Sequence, residues 1–244
     1  MEILIHKTKE ELGEAAAAKG ASLIRHALTK KGSATIIVAT GSSQFEMLNA
    51  LTKEDVDWSR VTAFHLDEYI GIPLTHPASF RKYLKERFVD LVPLRAFHYI
   101  DGEEDPAKEI ESLNGAIGQL HIDVAFIGIG ENAHLAFNDP PADLETTVPY
   151  LEVQLDRDCR QQQLNEGWFP SFEEVPERAI SMSVKQILKS DAIICTVPGE
   201  RKAVAIKNTL ENGVHADVPA SALKFHPRVF LYLDRDSSSA MPRL

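Results

Sequence analysis

Short apolar runs alternate along this chain with longer segments in which apolar positions recur at helical spacing. The runs, which are rich in β-branched residues and predict buried strands, are Ala34–Thr40, Val61–Leu66, Val124–Ile129, Ala179–Ser183, Ala192–Val197 and Val229–Leu233. The helical segments are Thr8–Lys31, a stretch with Phe45, Leu48 and Leu51 on one face, Pro77–Asp90, and Gly199 to about Asn212. This alternation predicts an α/β fold, Rossmann-like, with a mostly parallel sheet and helices on both faces.

Two segments lack such a pattern. Arg157–Pro176 is polar and aromatic without periodicity, which predicts a long loop or lid. Asp234–Leu244 carries a serine run and is predicted to be frayed. No internal repeat and no linker rich in Gly or Pro interrupts the chain, so residues 1–244 are expected to form a single domain.

Composition narrows the class of protein. The formal net charge is −10 and Lys and Arg do not cluster, which argues against a nucleic-acid partner. The N-terminus lacks the pattern of a signal peptide, and no apolar run approaches the ~20 residues that cross a bilayer, so we expect a cytoplasmic protein without a membrane partner. Cys159 and Cys195 have no paired spacing, and the nine histidines show no metal-ligand motif, so neither disulfide nor metal is expected.

The segment after Val124–Ile129 is the richest in candidate chemistry. It passes Gly130 and then brings Asn132, His134 and Asp139 within eight residues. An imidazole that is oriented by a nearby amide or carboxylate is a natural proton shuttle near neutral pH. The alternative is a structural histidine bonded to a backbone carbonyl.

Other polar groups follow other predicted strands. Asp67 and Glu68 come after Val61–Leu66, where one of them could be a general base. Alternatively, both are solvated loop carboxylates, or one caps the next segment.

Two turns are candidates for binding an anion. Thr40-Gly41-Ser42-Ser43 joins a strand to a helix, where free N–H groups and hydroxyls can hold a phosphate. An ordinary turn with a Ser cap is the alternative. The second turn has Gly199 followed by Arg201 and Lys202, and a cation at the start of a helix suggests an anionic neighbour unless it is simply a solvated surface charge.

Together these segments resemble the glucosamine-6-phosphate deaminase (isomerase) family, which is related to the 6-phosphogluconolactonases. The resemblance follows chain order and rests on Thr40–Ser43, Leu66–Gly71, His76–Phe80, Gly128–Gly130, His134–Pro140, Gly199–Lys202 and Ser221–Pro227. It implies conversion of glucosamine 6-phosphate to fructose 6-phosphate and ammonia, without a metal or organic cofactor. It also allows a homo-oligomer.

The resemblance assigns roles to these residues. Asp67 would move a proton between C2 and C1, His134 would assist ring opening, and Asp139 would orient His134. Asn132 stands beside them where the family usually has Asp, in Asp-Gly-His, and it supplies no negative charge. The binding candidates are Thr40, Gly41, Ser42, Ser43, Lys202 and Glu68, with Arg160 as the expected phosphate-binding arginine of the lid.

Three other functions remain open on the sequence. Galactosamine 6-phosphate would keep the mechanism and change the substrate. A phosphogluconolactone substrate would make the chain a lactonase, although the lactonases' Thr-Ala-Ser after the histidine is missing here. A sugar-phosphate sensor without turnover is the non-enzymatic alternative.

Overall fold

The computed structural model describes residues 1–211 and 213–241 of the chain. The strands in chain order are β1 Glu2–His6, β2 Ala34–Val38, β3 Val61–His65, β4 Asp67–Tyr69, β5 Ala96–His98, β6 Val124–Ile127, β7 Tyr150–Gln154, β8 Arg178–Met182, β9 Ala192–Val197 and β10 Val229–Asp234. The α-helices are α1 Lys9–Lys31, α2 Phe45–Leu51, α3 Phe80–Arg87, α4 Pro106–Ile117, α5 Arg157–Asn165, α6 Val184–Leu188 and α7 Ala203–Glu211. Short 3₁₀ helices lie at Ser42–Gln44, Trp58–Arg60, Val89–Leu91, Glu200–Lys202 and Pro219–Phe225.

The larger sheet is parallel throughout its described strands, in the order β1-β10-β9-β6-β2-β3-β5. In β2, Ile37 pairs with Phe64 on one side and with Ala125 on the other. Every residue of β2 is buried, as expected for a parallel strand covered on both faces. The prediction of an α/β fold is confirmed.

Side chains from successive strand positions enter two separate hydrophobic layers. Ile36 and Val38 pack with residues of α1, α2 and α3, whereas Ile37 packs with residues of α4, α6 and α7. Fully burying one such aliphatic side chain stabilises the fold by roughly 1.5–3 kcal/mol. The two layers therefore hold the sheet rigidly between its helices.

A smaller antiparallel sheet, in the order β4-β8-β7, extends the carboxyl end of β3. After β3 the chain leaves the larger sheet at Leu66, whose carbonyl accepts from Met182 N at 3.0 Å. The Tyr150 hydroxyl donates to the carbonyl of His65 at 2.6 Å. These bonds fix the position at which Asp67 enters β4.

Two predicted elements differ from those observed. Ala179–Ser183 corresponds to β8, but β8 pairs with its neighbours in the antiparallel sheet and is not part of the parallel one. Helix α3 is shorter than Pro77–Asp90, because the Ser79 side chain caps it at Lys82 N and the helix gives way to a 3₁₀ turn after Arg87.

The two segments that were predicted to be irregular contain ordered structure. Arg157–Pro176 begins with α5, whose N-cap Asp156 accepts from Cys159 N at 2.6 Å, so the prediction of a continuous loop was wrong. The prediction of a frayed tail was wrong for residues 234–241, because the Asp234 carboxylate accepts a hydrogen bond from Ser237 N at 2.7 Å there. Residues 242–244 lie outside the described part of the chain, as does Asn212, the predicted end of the last helix.

Besides α5, six observed elements were not predicted, namely β1, β4, β5, β7, α4 and α6. Strands β1 and β7 have largely exposed alternate positions, and β5 has only three residues, so none gives a continuous apolar run.

Within 1–211 and 213–241, no helix combines the length and apolar character needed to cross a bilayer.

Candidate active site

A pocket opens where β2, β3, β6 and β9 end, which is the edge at which open α/β sheets bind ligands. Most of the predicted site residues line it, namely Thr40, Gly41, Ser42, Ser43, Asp67, His134 and Lys202. The sheet therefore brings together groups that lie far apart in the sequence.

Asp67 faces the pocket as a carboxyl group without a hydrogen-bond partner among the described residues. It is buried, with 6% of its surface exposed. Burial, aided by the charge of neighbouring Glu68, raises the pKa of Asp67 to about 8. A carboxyl group with a pKa near neutral can both take and return a proton, which suits an acid–base role.

His134 lies across the pocket and pairs with Asp139. Its Nδ1 is 3.0 Å from Asp139 Oδ1, and both side chains are almost buried. Burial would raise the pKa of the Asp139 carboxyl, but the proximity of His134 outweighs it and holds that pKa below its usual range. Gly130 makes room for the ring, since a Cβ there would lie 2.2 Å from His134 Nε2.

The loop around His134 has an uncommon backbone conformation. Ala133 has φ 67° and Ala136 has φ 51°, in the left-handed region that side chains other than Gly rarely adopt. Bonds from both sides keep it there, because Ala220 N donates to Ala133 O at 2.9 Å and Phe137 N donates to the Ser181 hydroxyl at 3.0 Å. Strain of this kind is common where a loop must present a side chain at a fixed angle.

The turn after β2 presents free N–H groups at the other end of the pocket. Gly41 has φ 95°, which turns the chain sharply into the 3₁₀ helix. Among the described residues, the N–H groups of Gly41, Ser42 and Ser43 donate to no acceptor. The Tyr83 hydroxyl holds the turn by donating to Gly41 O at 2.9 Å. The turn is therefore fixed while its donors remain available for a ligand.

Lys202 supplies the positive charge beside this turn. It is buried, at 7% exposure, and within the described ranges its ammonium makes neither an ion pair nor a hydrogen bond. Burial lowers the pKa of Lys202, and the carboxylates of Glu166 and Glu131 partly oppose that effect. A buried cation without a direct partner is costly unless a ligand supplies the anion. Arg201 instead pairs with Glu131 at 3.5 Å and is exposed.

Comparison with known proteins places this chain in a family. Residues 7–231 match the family model for glucosamine-6-phosphate isomerases and 6-phosphogluconolactonase. The chain belongs to this family.

Relatives named as glucosamine-6-phosphate deaminases cover most of the chain. A glucosamine-6-phosphate deaminase of an Exiguobacterium species is 32% identical over 240 residues, or 98% of this chain and 91% of the relative. One from Streptococcus pneumoniae serotype 4 is 35% identical over 213 residues, covering 86% of this chain and 89% of the relative.

The chain also superposes closely on solved structures. A monomeric glucosamine-6-phosphate deaminase superposes with a TM-score of 0.89 at 30% identity and covers 98% of this chain and 100% of its own. The 6-phosphogluconolactonase of Trypanosoma brucei superposes at 0.81 with 17% identity, covering 99% and 98%, which shows a shared fold.

Asn132, the departure from the family's usual Asp, has a local explanation. Its Oδ1 accepts from His134 N at 3.1 Å, while its Nδ2 faces Asp139 Oδ1 at 3.3 Å and Asp156 Oδ2 at 3.5 Å. Asp156 N also donates to Asp139 Oδ2 at 3.1 Å. Because two carboxylates already lie here, an amide provides the donor that a third carboxylate would lack.

Glu68, which was predicted to bind the ligand, does not line the pocket. The side chain is fully buried and turns toward the start of α3, where Phe80 N and Arg81 N donate to it at 3.1 and 2.7 Å. Burial raises the pKa of Glu68 to about 7, against these N–H groups, which favour the charged form. Glu68 caps the next segment, which is one of the alternatives left open by the sequence.

Arg160, which was predicted to be the phosphate-binding arginine of the lid, also lies outside the pocket. Its guanidinium donates to the carbonyls of Val175 at 2.8 Å and Phe172 at 3.0 Å and stacks on the Phe172 ring. These contacts hold the loop after α5 against the helix.

Helix α5 and the residue that follows it contribute residues that sequence reasoning missed. Gln162, Gln163 and Glu166 line the pocket, and Gln162 Oε1 accepts from Glu131 N at 2.9 Å. Gln44 is also buried there and accepts from the Thr196 hydroxyl at 2.9 Å. The available signal was the polar i, i+4 pair Gln162 and Glu166, which fits a helix that faces a wet cavity.

One group of side chains near the pocket has the composition of a metal site. The ligand atoms of His134, Asp139 and Cys159 lie within 4.8 Å of one another. However, His134 and Asp139 already face each other, and burial raises the pKa of the Cys159 thiol well above its usual range. A thiolate is the form that binds metals, so the group is poorly suited to hold one.

Proposed function

We propose that this chain is an enzyme that converts glucosamine 6-phosphate to fructose 6-phosphate and ammonia. The observation that carries the proposal is Asp67, an unpartnered carboxyl group that shares one pocket with His134 and Lys202. Proton transfer at a sugar carbon needs such a base. The named deaminase relatives support the substrate.

The phosphate group of the substrate is bound at the turn after β2. The free N–H groups of Gly41, Ser42 and Ser43 donate to its oxygens, and Lys202 supplies a charge-assisted contact. This anchor places the sugar carbons between Asp67 and His134.

The chemistry then divides between two acid–base groups. His134, oriented by Asp139, moves a proton to the ring oxygen as the pyranose opens. The Asp67 carboxylate takes the proton from C2 while the oxygen on C1 gains a proton, which gives an enolamine. Asp67 then returns its proton to C1, which leaves an imine at C2. Water then replaces the nitrogen at C2, and ammonia leaves as the ketose forms.

The direct test is ammonia release from glucosamine 6-phosphate, with galactosamine 6-phosphate assayed in parallel. Release from the gluco substrate is the expected result. Release from the galacto substrate alone would keep the mechanism and change the substrate. Absence of release from both would contradict the proposal and direct attention to lactone hydrolysis or to ligand sensing.

We also propose that one copy of the chain is sufficient for turnover. The similar deaminase of known structure is described as monomeric, and in this chain Asp67, His134 and Lys202 line one pocket together. Light scattering at assay concentration tests this, with activity that tracks an oligomer fraction as the contrary result.

A further inference from the structure

Glu166 holds a carboxylate against the turn proposed to bind phosphate. It follows the last turn of α5, and its Oε1 accepts from Gln162 Nε2 at 2.8 Å. Its Oε2 accepts from the Trp168 indole at 3.2 Å and from the Ser42 hydroxyl at 3.3 Å. The carboxylate thus links the end of α5 to the phosphate turn.

The same carboxylate is the principal counter-charge of Lys202. It stabilises the charged form of the ammonium, yet the two groups are not in ion-pair contact within the described residues. Lys202 is also the single Lys or Arg among the described lining residues. The end of the pocket that is expected to attract a phosphate therefore carries one positive and one negative side chain.

A bound phosphate and Glu166 would compete for the same partners. The Ser42 hydroxyl donates to Glu166, and it belongs to the turn whose N–H groups are free. A phosphate on this turn would lie beside the carboxylate, and like charges at such short range repel each other. Both anions cannot occupy this end of the pocket in the observed arrangement.

We propose that Glu166 is an internal anion that competes with the substrate's phosphate and sets the affinity of the site for it. Binding of the phosphate displaces the carboxylate from Ser42 and moves the end of α5 away from the turn. This inference rests on the proposed function, since it assumes a sugar phosphate as the ligand.

Calorimetric titration tests the competition with two ligands, inorganic phosphate and glucosamine 6-phosphate. We expect Glu166→Gln to bind both about tenfold more tightly than the parent, within the 5- to 150-fold range typical of coupled sites. Glu173→Gln is the matched control, because it removes the same charge from an exposed residue of the neighbouring loop. Its affinities should stay within about twofold of the parent.

Tryptophan fluorescence tests the displacement in the unaltered active site. Trp168 donates to Glu166, whereas the second tryptophan, Trp58, is buried in the core. Titration with phosphate should change the emission of the parent protein, and Trp168→Phe should abolish that change. A change that persists in Trp168→Phe, or phosphate binding without any change, would overturn the inference.

The outcomes separate this inference from the proposed function. If the parent releases ammonia but Glu166→Gln binds phosphate no more tightly, the inference is overturned and the function stands. If neither protein binds a sugar phosphate and no ammonia is released, the proposed function fails and the inference fails with it.

Discussion

The two ends of the pocket each pair one free ionisable group with one saturated ionisable group, whose hydrogen bonds are satisfied. At the catalytic end, Asp67 has no hydrogen-bond partner among the described residues, while Asp139 is contacted by His134, Asn132 and Asp156. At the phosphate end, Lys202 is free in the same sense, while Glu166 accepts three hydrogen bonds. The free groups are available to the substrate, and the saturated groups shape their surroundings.

Groups with and without hydrogen-bond partners affect the stability of the fold differently. A buried charge without partners destabilises the fold, and the pKa shifts of Asp67 upward and Lys202 downward both reflect burial. A saturated carboxylate is held in place and its removal leaves donors unpaired. Replacing a free group should therefore affect function, whereas replacing a saturated group should affect stability or geometry.

The largest expected effect is on turnover at the catalytic end. Asp67→Asn removes the base but keeps the size of the side chain, so we expect kcat for ammonia release to fall about 1,000-fold, as for loss of a general base. The Kd of glucosamine 6-phosphate should stay within about threefold. Asp90→Asn, an exposed change, is the control. Retained turnover would exclude Asp67 as the base.

The next effect is on binding at the phosphate end. Lys202→Met keeps the length of the side chain but removes the charge, so KM should rise about 100-fold while kcat changes by less than about threefold. Lys207→Met, on an exposed part of α7, should change neither constant. A fall in kcat at unchanged KM would break the division of the pocket into two ends.

A neighbouring residue sharpens the contrast between free and saturated groups. Glu68 accepts from Tyr69 N, Phe80 N, Arg81 N and the Ser79 hydroxyl, so Glu68→Gln would place an amide donor against donors. We expect the free energy of unfolding to fall by about 3 kcal/mol, as when a buried charged acceptor is lost. Urea denaturation measures it. Unchanged stability in Glu68→Gln, or a loss as large in Asp67→Asn as in Glu68→Gln, would contradict the distinction.

The parts of the site that could be predicted from the sequence lie directly after strands of the parallel sheet. Asp67, His134 and Lys202 each follow an apolar run, and parallel strands end at the same edge, so their convergence followed from topology. The strands themselves were predictable because β-branched runs leave few alternatives.

The remaining parts depend on contacts that local patterns do not encode. Gln162 and Gln163 are buried polar residues of α5, which removes the apolar periodicity that marks a helix. Glu166 meets Ser42 although 124 positions separate them. Adjacent Asp67 and Glu68 point in opposite directions because β4 alternates its side chains, so only one of the two carboxylates reaches the pocket.

The raised pKa of Asp67 also predicts how stability changes with pH. With a pKa of about 8 in the folded state against 3.8 as the reference, the folded protein holds a proton that the unfolded chain has released. Stability should therefore fall by about 2 kcal/mol or more as pH rises from about 5 to 8. Glu68, with a pKa of about 7, contributes in the same direction. Asp67→Asn should flatten the profile, and an equal slope in both proteins would contradict this.

The smallest expected effect concerns the amide at the catalytic end. Asn132→Asp restores the residue usual in this family, but here it would place a third carboxylate beside Asp139 and Asp156. Because the donor of Nδ2 is lost, we expect the free energy of unfolding to fall by about 1 kcal/mol and kcat to fall less than about tenfold. Asn132→Asp combined with Asp156→Asn should recover part of both losses, since the donor is then supplied from the other side. Higher stability and activity in the single variant would show that Asn132 weakens the site, and that the family's charge at this position is needed despite Asp156.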